Sequence, residues 1–574
     1  MLRLQASVGR KRIFLFNKNG PKLTAMTADC ENDLLTLTGF AGSSGRLSIS
    51  ESEVILWVDS RYEKDALDQF AESKVEVRLT TARSGLAEYL QQWVRTSERP
   101  ELVYDPAKWG RWEIEALLKS LPECGLVARA LRPYVWGRQR RELLFIEEEA
   151  GQSGRERRRK LRERLKPNEM HLIANPEDIA WFTGLRACDF PYSRSVQGRL
   201  LLARNGARLY TDLLPSEERR LSADLGDMTL VPEEAAWKGF VEEHFRGHGK
   251  DRIIIESHGR PGTLNAEETD FIESVCGESV GRAGHSAIEP FRLIKSRDEI
   301  SRTLESCKLT GRIMGEVIDY MNSELKAGRR LTEKSLAGRT LKLAEAAGAG
   351  GACFPPMVAS GPYSAHPHHL PHSDKAIQSG EMVVLDMGFY ASEGSHAADM
   401  TRSVLAGQAA ATPIMKSVYT QVLRAFLKQL FVRFPGGVFK ARDLDRIARN
   451  RLSQAQGDFS FSHGSGHGLG INAHELGVSI SPSSRMTLKA GYCYALEPGL
   501  YAAETLGANV FGVRLEDTVV LTQDGSRLRH NSLCPYAFDE RLINHGQLDP
   551  EDSEYLCRYM EGCRRHAGVQ SWQA

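Results

Sequence analysis

The feature that most constrains this 574-residue chain is a set of carboxylates at the ends of short apolar runs in its last third. Asp386 closes the run MVVLD, and Asp399 follows in the strand-like segment HAADMTRSVL. The glycines and serines of GFYASEGS between them predict a turn that joins two antiparallel strands. Paired strands would bring both carboxylates within several ångströms of each other, where two buried like charges must share a proton or a cation.

A glycine-rich segment, SHGSGHGLG at 462–470, carries His463 and His467. So many glycines argue against an α-helix and favour a backbone that closely approaches another group. His474 and Glu475 follow soon afterwards. An imidazole in such a segment is a candidate metal ligand.

Two further carboxylates belong to apolar strands. Glu497 ends the run YCYALE, which Pro498 and Gly499 stop. The segment VFGVRLEDTVVLT (510–522) predicts one strand. Because side chains alternate along a strand, Arg514 and Glu516 would share one face and Asp517 would lie on the other.

Four carboxylates and one imidazole in this order predict a site for two divalent metal ions. Oxygen-rich sets with one histidine suit Mn²⁺, with Co²⁺ and Zn²⁺ as alternatives. Two ions a few ångströms apart can hold a bridging hydroxide between them. The candidate ligands are Asp386, Asp399, His467, Glu497 and Glu516.

Taken singly, each of these residues has a simpler interpretation. A carboxylate at a strand end is usually a turn former or an ion-pair partner, and a histidine among glycines is usually incidental. Arg514 near Glu516 would by itself be an ordinary surface ion pair. These interpretations weaken because all the candidate residues occur in order within one region of the chain.

The rest of the chain predicts an α/β (α+β) protein. In its first part, TGFAGSSGRLSIS predicts a turn and a strand, and ILWVDSRY predicts a strand that a helix over EKDALDQFAE follows. Further on, MHLIANPEDIAWFTGL predicts a strand, an Asn-Pro turn and a helix. From Ile300 to Leu325 the apolar residues recur at helical intervals. The predicted domains are 1–135, 136–293 and 294–574.

Charge and cysteine pattern argue against several partner classes. Lys plus Arg number 75 against 74 for Asp plus Glu, so a net charge of +1 gives no field to attract nucleic acid or an anionic membrane. No apolar run approaches the roughly 18–20 residues that span a bilayer. The ten cysteines form no Cys-x-x-Cys pair, and we expect them to be reduced thiols of a cytoplasmic protein.

The basic run Arg155–Lys160 has two interpretations. It could contact nucleic acid, or it could form a solvated helix face that pairs with Glu156, Glu163 and Glu147–Glu149. The second is favoured, since one short run without interleaved aromatic residues is a poor nucleic-acid footprint.

Five blocks of the last third resemble the pita-bread-fold metallopeptidases, a family that includes methionine aminopeptidase, prolidase, creatinase and aminopeptidase P. The resemblance implies that the five candidate ligands hold two metal ions. It also implies that Asp399 and Glu516 bridge both ions, that Asp386 binds one ion, and that His467 and Glu497 bind the other. The blocks are VVLDMG, ADMTRS, HGSGHGLG, ALEPGLY and VRLEDTVVL.

The remaining sequence narrows the resemblance to the long, three-domain form of aminopeptidase P. TGFAGSSG with LWVDSRY is similar to its first domain, and IANPEDIAWFTGLRACDFPYSRSVQGRLLL is similar to its middle domain. NSLCPYAFDERLINHGQLDPEDSEYL is similar to its C-terminal extension. The implied fold has two creatinase-like N-terminal domains before a pita-bread catalytic domain.

The resemblance also implies roles for residues that do not bind metal. His463 and His474 match histidines on the substrate side of the site, and Arg514 matches the arginine two positions before the last ligand. Glu497 is implied as a proton acceptor as well as a ligand. In VASGPYSAHPHHLPHSD, His368 best matches a further active-site histidine, although a gapless count back from the first ligand favours His369.

The implied function is hydrolysis of the N-terminal Xaa-Pro peptide bond through a hydroxide held between the two ions. The substrates would be peptides with proline at the second position, and a cytoplasmic homodimer is expected. A prolidase-type dipeptidase would share the ligands but would not account for the two extra domains. A metal-free peptide-binding protein on the same fold would lack the ligands.

The chain departs from the family pattern in three places. The spacing from Asp386 to Asp399 is longer by about two residues, which we expect to lengthen the turn without moving either ligand. The family's His-Glu-x-Pro is replaced by His474-Glu475-Leu476-Gly477, which we expect to loosen the loop beside the substrate. His396 is expected to be a bystander.

Overall fold

The computed structural model describes residues 5, 8, 11–19, 31–79, 85–129, 144–145, 152–187, 192–212, 227–247, 251–256, 263–369, 374–454 and 458–567. Two units are distinguished, Met1–Arg292 and Leu293–Ala574. Residues 131–143, around the boundary expected at residue 135, lie outside the described residues. The division into three domains therefore stays a prediction.

The run around Leu56 forms an inner strand of a six-stranded sheet. Val54, Leu56 and Val58 pack in one core cluster, whereas Ile55 and Trp57 pack in another. Both faces of the strand are covered, which explains its continuous apolar run. The strands are β1 Arg12–Asn17, β2 Arg46–Ile49, β3 Val54–Val58, β4 Val75–Leu79, β5 Glu101–Tyr104 and β6 Gly125–Ala128, in the order β4-β3-β2-β1-β5-β6. The helices are α1 Asp33–Thr38, α2 Glu63–Phe70, α3 Gly85–Thr96 and α4 Arg111–Ser120, so the predicted helix after ILWVDSRY is confirmed.

The second sheet of this unit has the same pairing pattern as the first. Its order is β12-β11-β10-β8-β13-β14, and in both sheets the second, third and fourth strands run antiparallel while the outer pairs are parallel. Its strands are β8 Glu169–Ile173, β10 Arg199–Ala203, β11 Gly206–Tyr210, β12 Thr229–Val231, β13 Arg252–Glu256 and β14 Val280–Ala283. Two short strands, β7 Leu144–Phe145 and β9 Leu185–Arg186, pair separately. The helices are α5 Gln152–Arg162, α6 Pro176–Thr183, α7 Trp237–Gly247, α8 Ala266–Cys276 and α9 Glu289–Arg292.

The basic run lies on helix α5, as the solvated-face interpretation predicts. Arg159 pairs with Glu156 over 2.7 Å and also with Glu163. Arg158 is an exception, because its side chain is buried and pairs with Asp227 over 2.6 Å. Residues 147–149 lie outside the described residues.

The second unit begins with a long helix, as its apolar periodicity predicts. Helix α10 starts after Ser296, whose side chain accepts a hydrogen bond from the backbone of Glu299 in a capping box. The helices are α10 Arg297–Lys326, α11 Glu333–Ala346, α12 Pro413–Phe431, α13 Ala441–Leu452 and α14 Pro550–Ala567. Among the described residues, none of the helices combines the length and apolarity needed to cross a membrane.

Most strands of this unit form one large sheet, with the path β16-β17-β19-β27-β24-β22-β23, and β21-β25-β26 form a smaller one. Helix α12 packs on the large sheet, where Phe426, Tyr494 and Val519 are fully buried in one cluster. The strands are β15 Gly351–Ala352, β16 Met357–Ser360, β17 Met382–Met387, β18 Phe389–Tyr390, β19 Met400–Leu405, β20 Phe434–Pro435, β21 Phe459–Ser460, β22 Gly466–Gly468, β23 Glu475–Ile480, β24 Cys493–Leu496, β25 Gly499–Ala502, β26 Gly512–Arg514, β27 Glu516–Asp524 and β28 Arg527–Ser532.

The prediction of one strand over 510–522 is wrong. The chain changes partners at Leu515, whose backbone N–H donates to Pro498 O over 3.3 Å. Strand β26 pairs with β25 in the small sheet, whereas β27 pairs with β24, β19 and β28 in the large one. The break lies between Arg514 and Glu516, so these two residues belong to different sheets.

Candidate metal centre

Three neighbouring strands place three carboxylates on one face of the large sheet. Strands β17 and β19 are antiparallel with Asp386 opposite Thr401, and Thr401 in turn lies opposite Glu516 at the start of β27. Asp399 precedes Thr401 by two residues and therefore lies on the same face. Thr401 Oγ1 donates to Glu516 Oε2 over 2.6 Å, which fixes that carboxylate.

The imidazole of His467 lies among these carboxylates. Its Nε2 atom is 3.5 Å from Asp399 Oδ2, 3.7 Å from Glu497 Oε1 and 4.0 Å from Glu516 Oε1. One ligand atom each from Asp399, His467 and Glu516 lies within 4.8 Å of the others. The five candidate ligands thus come together from five separate segments, with Glu497 directly after β24 and Asp386 near the end of β17.

The glycines of SHGSGHGLG let this segment enter the sheet closely. A Cβ atom on Gly466 would lie 2.0 Å from Ala495 O, and one on Gly468 would lie 2.5 Å from Glu475 O. Any larger residue would push β22 away from its neighbours β24 and β23. Backbone approach, as predicted, explains these glycines.

The replacement of the family's proline by Gly477 also has a backbone cause. The pairing of β22 with β23 shifts register, so that Gly468 faces Glu475 while His467 faces Ser479. Within this irregularity Gly477 has a φ of 108°, which glycine adopts readily and proline cannot. The departure therefore marks a local bulge in a paired strand.

The interval between Asp386 and Asp399 contains a short strand. Strand β18 lies in this interval and pairs with β15 as a separate two-stranded sheet. His396, expected to be a bystander, is 1% exposed, and its carbonyl accepts a hydrogen bond from Ser306 over 2.6 Å. The interval between the two aspartates is thus packed against helix α10.

Arg514 links the carboxylate face to the small sheet. Its guanidinium donates to Asp386 Oδ2 over 2.6 Å, to Pro367 O over 2.7 Å and to Thr401 Oγ1 over 3.3 Å. It also donates to the hydroxyl of Tyr501 over 3.1 Å. With its side chain 3% exposed, Arg514 forms a buried ion pair, not the surface pair of the simpler interpretation.

Tyr501 belongs to the site and was missed by the sequence analysis. Its hydroxyl lies 2.8 Å from His463 Nε2, while His463 Nδ1 lies 2.7 Å from Gly464 O. A carbonyl only accepts, so Nδ1 of His463 carries a proton, and in the neutral ring Nε2 accepts from Tyr501. Burial raises the pKa of Tyr501 to about 12, which keeps this donor protonated. The available signal was its place in EPGLY, four residues after Glu497.

The other histidines occupy distinct positions. His474 is exposed, and its ring stacks on that of His467 with a centroid distance of 4.2 Å. His369 is 1% exposed and its Nε2 lies 3.0 Å from Glu333 Oε2. His368 is half-buried and directly follows Pro367, whose carbonyl Arg514 binds. The ring of His369 is thus paired with Glu333, whereas the backbone carbonyl just before His368 accepts a hydrogen bond from Arg514 beside the carboxylate face.

The electrostatics of the carboxylate cluster around His467 favour a bound cation. Burial, with Glu516 as the strongest neighbouring charge, raises the pKa of Asp399 well above its ordinary value. Burial, Asp386 and Glu497 raise the pKa of Glu516 to about 8. Asp386 Oδ1 is buried and has no hydrogen-bond partner among the described residues. Four carboxylates and an imidazole with an unsatisfied buried oxygen fit divalent cations of the oxygen-preferring kind.

Two family models match the chain. The model of metallopeptidase family M24 matches residues 303–523, which contain all five candidate ligands. The model of the creatinase/prolidase N-terminal domain matches residues 138–299.

Three known proteins illustrate the range of similarity. An uncharacterised peptidase of Staphylococcus saprophyticus is 30% identical over 62% of this chain and 92% of its own length. A Xaa-Pro dipeptidase of Pyrococcus furiosus is 28% identical over 62% of this chain and 91% of its own length. A Xaa-Pro aminopeptidase of Caenorhabditis elegans is 23% identical over 93% of this chain and 88% of its own length.

The solved structure of an X-prolyl aminopeptidase from Caenorhabditis elegans has the same fold, with a TM-score of 0.84 and 21% identity over 97% of this chain and 92% of that one. That protein is described as a cytosolic enzyme with a di-nuclear active site. The second unit of the present chain accordingly has the pita-bread fold, preceded by creatinase-like N-terminal structure.

Proposed function

The chain belongs to metallopeptidase family M24, and we propose that it is an aminopeptidase that hydrolyses the N-terminal Xaa-Pro bond of peptides. The observation that carries this proposal is the share of the chain that each kind of relative matches. In sequence, the Xaa-Pro dipeptidases of Pyrococcus furiosus and Pyrococcus horikoshii match 62% and 42% of the chain, whereas the Caenorhabditis elegans aminopeptidase matches 93%. The proposal includes three domains, at 1–135, 136–293 and 294–574, and a cytoplasmic homodimer.

The five clustered residues are proposed to hold two divalent ions, preferably Mn²⁺. Asp399 and Glu516 would be shared by both ions, Asp386 would bind one ion, and His467 with Glu497 would bind the other. When bound, the ions would supply a nucleophile from water at neutral pH and would compensate the carboxylate charge. The distances from His467 Nε2 to three of the carboxylates support this ligand set.

The remaining residues are proposed to act through their own atoms. Glu497 would accept a proton, and exposed His474 would donate a hydrogen bond to the carbonyl oxygen of the scissile bond as charge develops there. Arg514 would hold Asp386 in place, and His463 would act on the substrate side with its ring fixed by Tyr501.

His368 is proposed as the further active-site histidine. The carbonyl of Pro367, the residue before it, is bound by Arg514, which places this backbone beside the carboxylate face. The 3.0 Å contact between His369 and Glu333 argues against the alternative assignment.

Product analysis by mass spectrometry tests the proposed function. The full chain is incubated with Xaa-Pro dipeptides and with longer peptides of the Arg-Pro-Pro type, with Mn²⁺ and with chelator. We expect release of the N-terminal residue from both substrate classes, and loss of activity with chelator. Hydrolysis of dipeptides alone would make the protein a prolidase-type dipeptidase, and full activity after exhaustive metal removal would contradict the metal-dependent mechanism.

A further inference from the structure

A buried polar network lies on the side of the large sheet opposite the carboxylate face. Arg402 and Asp517 form an ion pair over 2.7 Å, and their side chains are 1% and 0% exposed. The hydroxyl of Tyr559 accepts from Arg402 Nη2 over 2.7 Å and donates to Asp517 Oδ2 over 2.8 Å. Ser532 Oγ donates to the same carboxylate oxygen over 2.5 Å.

Each member of the ion pair is the sequence neighbour of a residue on the carboxylate face. Arg402 follows Thr401, and Asp517 follows Glu516. Because side chains alternate along a strand, Glu516 faces the site and Asp517 faces the network. One peptide group joins these two residues. A displacement of Asp517 therefore displaces Glu516.

Arg402 also links strands β19 and β27 beyond the last residue pair of their ladder. The register of β19 with β27 consists of two residue pairs, Met400 with Asp517 and Thr401 with Glu516. Arg402 Nη1 donates to Thr401 O over 2.8 Å and to Glu516 O over 2.7 Å. One guanidinium thus sets the distance between the backbones that carry Asp399 and Glu516.

Tyr559 comes from a part of the chain that the metallopeptidase model does not match. It lies on helix α14, Pro550–Ala567, beyond the matched residues 303–523. Its ring is buried and stacks on Phe538 with a centroid distance of 4.6 Å. A buried ion pair is costly unless its remaining hydrogen-bonding groups are satisfied, and the Tyr559 hydroxyl satisfies both partners at once.

We propose that Tyr559 is a positioning residue through which the C-terminal helix raises the affinity of the candidate site for divalent cations. Its hydroxyl orders the Arg402–Asp517 pair, and that pair fixes the strand positions of Asp399 and Glu516. The proposal rests on the proposed function in taking these two carboxylates as metal ligands. Residues that orient metal ligands from behind commonly change metal affinity or activity about 10–100-fold when altered.

A purely structural role makes a different prediction. If Tyr559 only packs the helix onto the core, then Tyr559→Phe keeps the ring, lowers thermal stability and leaves metal affinity unchanged. If it is a positioning residue, Tyr559→Phe weakens metal binding, and excess metal restores kcat/KM.

The test is calorimetric titration of Mn²⁺ into full-length, chelator-treated protein, with melting temperatures measured in parallel. Tyr555→Phe is the matched control, since it lies on the same helix and donates its hydroxyl to Glu551 away from the network. We expect the Kd for Mn²⁺ to rise about 10-fold in Tyr559→Phe and to stay unchanged in Tyr555→Phe.

Ser532→Ala provides a second variant, because it removes a different hydrogen bond to Asp517, and it decides alone if Tyr559→Phe does not fold. We expect its Kd for Mn²⁺ to rise as well. An unchanged Kd in folded Tyr559→Phe would overturn the inference, and where that variant does not fold, equal Kd values in wild type and Ser532→Ala would overturn it. A wild-type chain that binds no Mn²⁺ would instead overturn the proposed metal site, so the two failures are distinguishable.

Discussion

Arg514 donates a hydrogen bond to one carboxylate oxygen of Asp386 over 2.6 Å, while the other oxygen is buried without a hydrogen-bond partner among the described residues. The arginine thus orients the carboxylate without saturating it. Buried carboxylate oxygens are rarely left unpaired, so this oxygen is the one we expect to bind metal. The arrangement leads to predictions that separate metal binding from substrate chemistry.

The first prediction concerns the three neighbouring histidines. His467→Ala should be depleted of metal and inactive, because its Nε2 atom is the nitrogen surrounded by carboxylates. His474→Ala and His463→Ala should retain metal and lose about 10²-fold in kcat/KM, the scale of losing one donor to a developing charge. Metal analysis with steady-state kinetics checks this. Metal loss in His474→Ala with retention in His467→Ala would reverse the assignment.

The second prediction concerns Arg514→Lys. Lysine keeps the charge but cannot donate in four directions to Asp386, Thr401, Pro367 and Tyr501. We expect kcat/KM to fall roughly 10–100-fold and metal content to drop as well. Arg541→Lys is the control, since that arginine also donates to a carboxylate and two carbonyls, away from the cluster. Equal effects in both variants would indicate a general cost of losing a guanidinium.

Much of the candidate site could be predicted because the informative residues lie at the ends of local apolar runs. Asp386 lies one residue before the end of β17 and Glu497 follows β24, and both positions are visible from the hydrophobic pattern alone. The break at Leu515 could not be predicted, since alternation continues across it and only distant partners β25 and β24 decide where each strand pairs.

Contacts between distant segments could not be predicted from the sequence either. Nothing local marks Tyr559 as a partner of Asp517, because the two meet only when helix α14 packs on the sheet. His396 was predicted to be a bystander in catalysis, and its burial beside Ser306 means that its replacement should affect stability even where turnover is unchanged. Burial of this kind depends on tertiary packing, which sequence spacing does not reveal.

The third prediction concerns an ion pair on helix α13 that holds the backbone before His467. Arg449 pairs with Asp445 over 2.7 Å and donates to Phe461 O over 3.1 Å and to His463 O. Asp445 Oδ1 accepts from the backbone of Ser465 over 3.1 Å. This segment lies between β21 and β22, so side chains from the helix satisfy backbone groups that no strand pairs.

Arg449→Lys should therefore move His463 while leaving the proposed metal ligands in place. We expect unchanged metal content and a fall in kcat/KM of roughly 10-fold, because small displacements of substrate-side groups are costly. Arg446→Lys is the control on the same helix, since Arg446 is exposed and pairs only with Asp443 among the ion pairs of the described residues. Metal loss in Arg449→Lys, or equal kinetics in the two variants, would contradict the prediction.

The last prediction concerns His530, which lies in the core of the second unit. Its Nε2 is 2.6 Å from the Tyr494 hydroxyl, its ring contacts Phe434, and burial lowers its pKa to about 3. In the unfolded chain a histidine titrates near 6.5. Between these values the unfolded state binds one proton more than the folded state, so this group makes stability fall as the pH falls through that window.

His530→Gln should make the free energy of unfolding depend less steeply on pH in this window. Glutamine cannot be protonated here, so between pH 6 and pH 4 the wild-type free energy of unfolding should fall more steeply than that of the variant, by roughly 1 kcal/mol per pH unit. Absolute stability will also drop, because the hydrogen bond with Tyr494 changes, and the slope is therefore the quantity to compare. Urea unfolding of metal-free, full-length protein, followed by circular dichroism at several pH values, measures it. Carboxylates of the candidate metal site titrate equally in both proteins and cancel in the difference. Parallel slopes would show that His530 does not stay neutral in the folded protein.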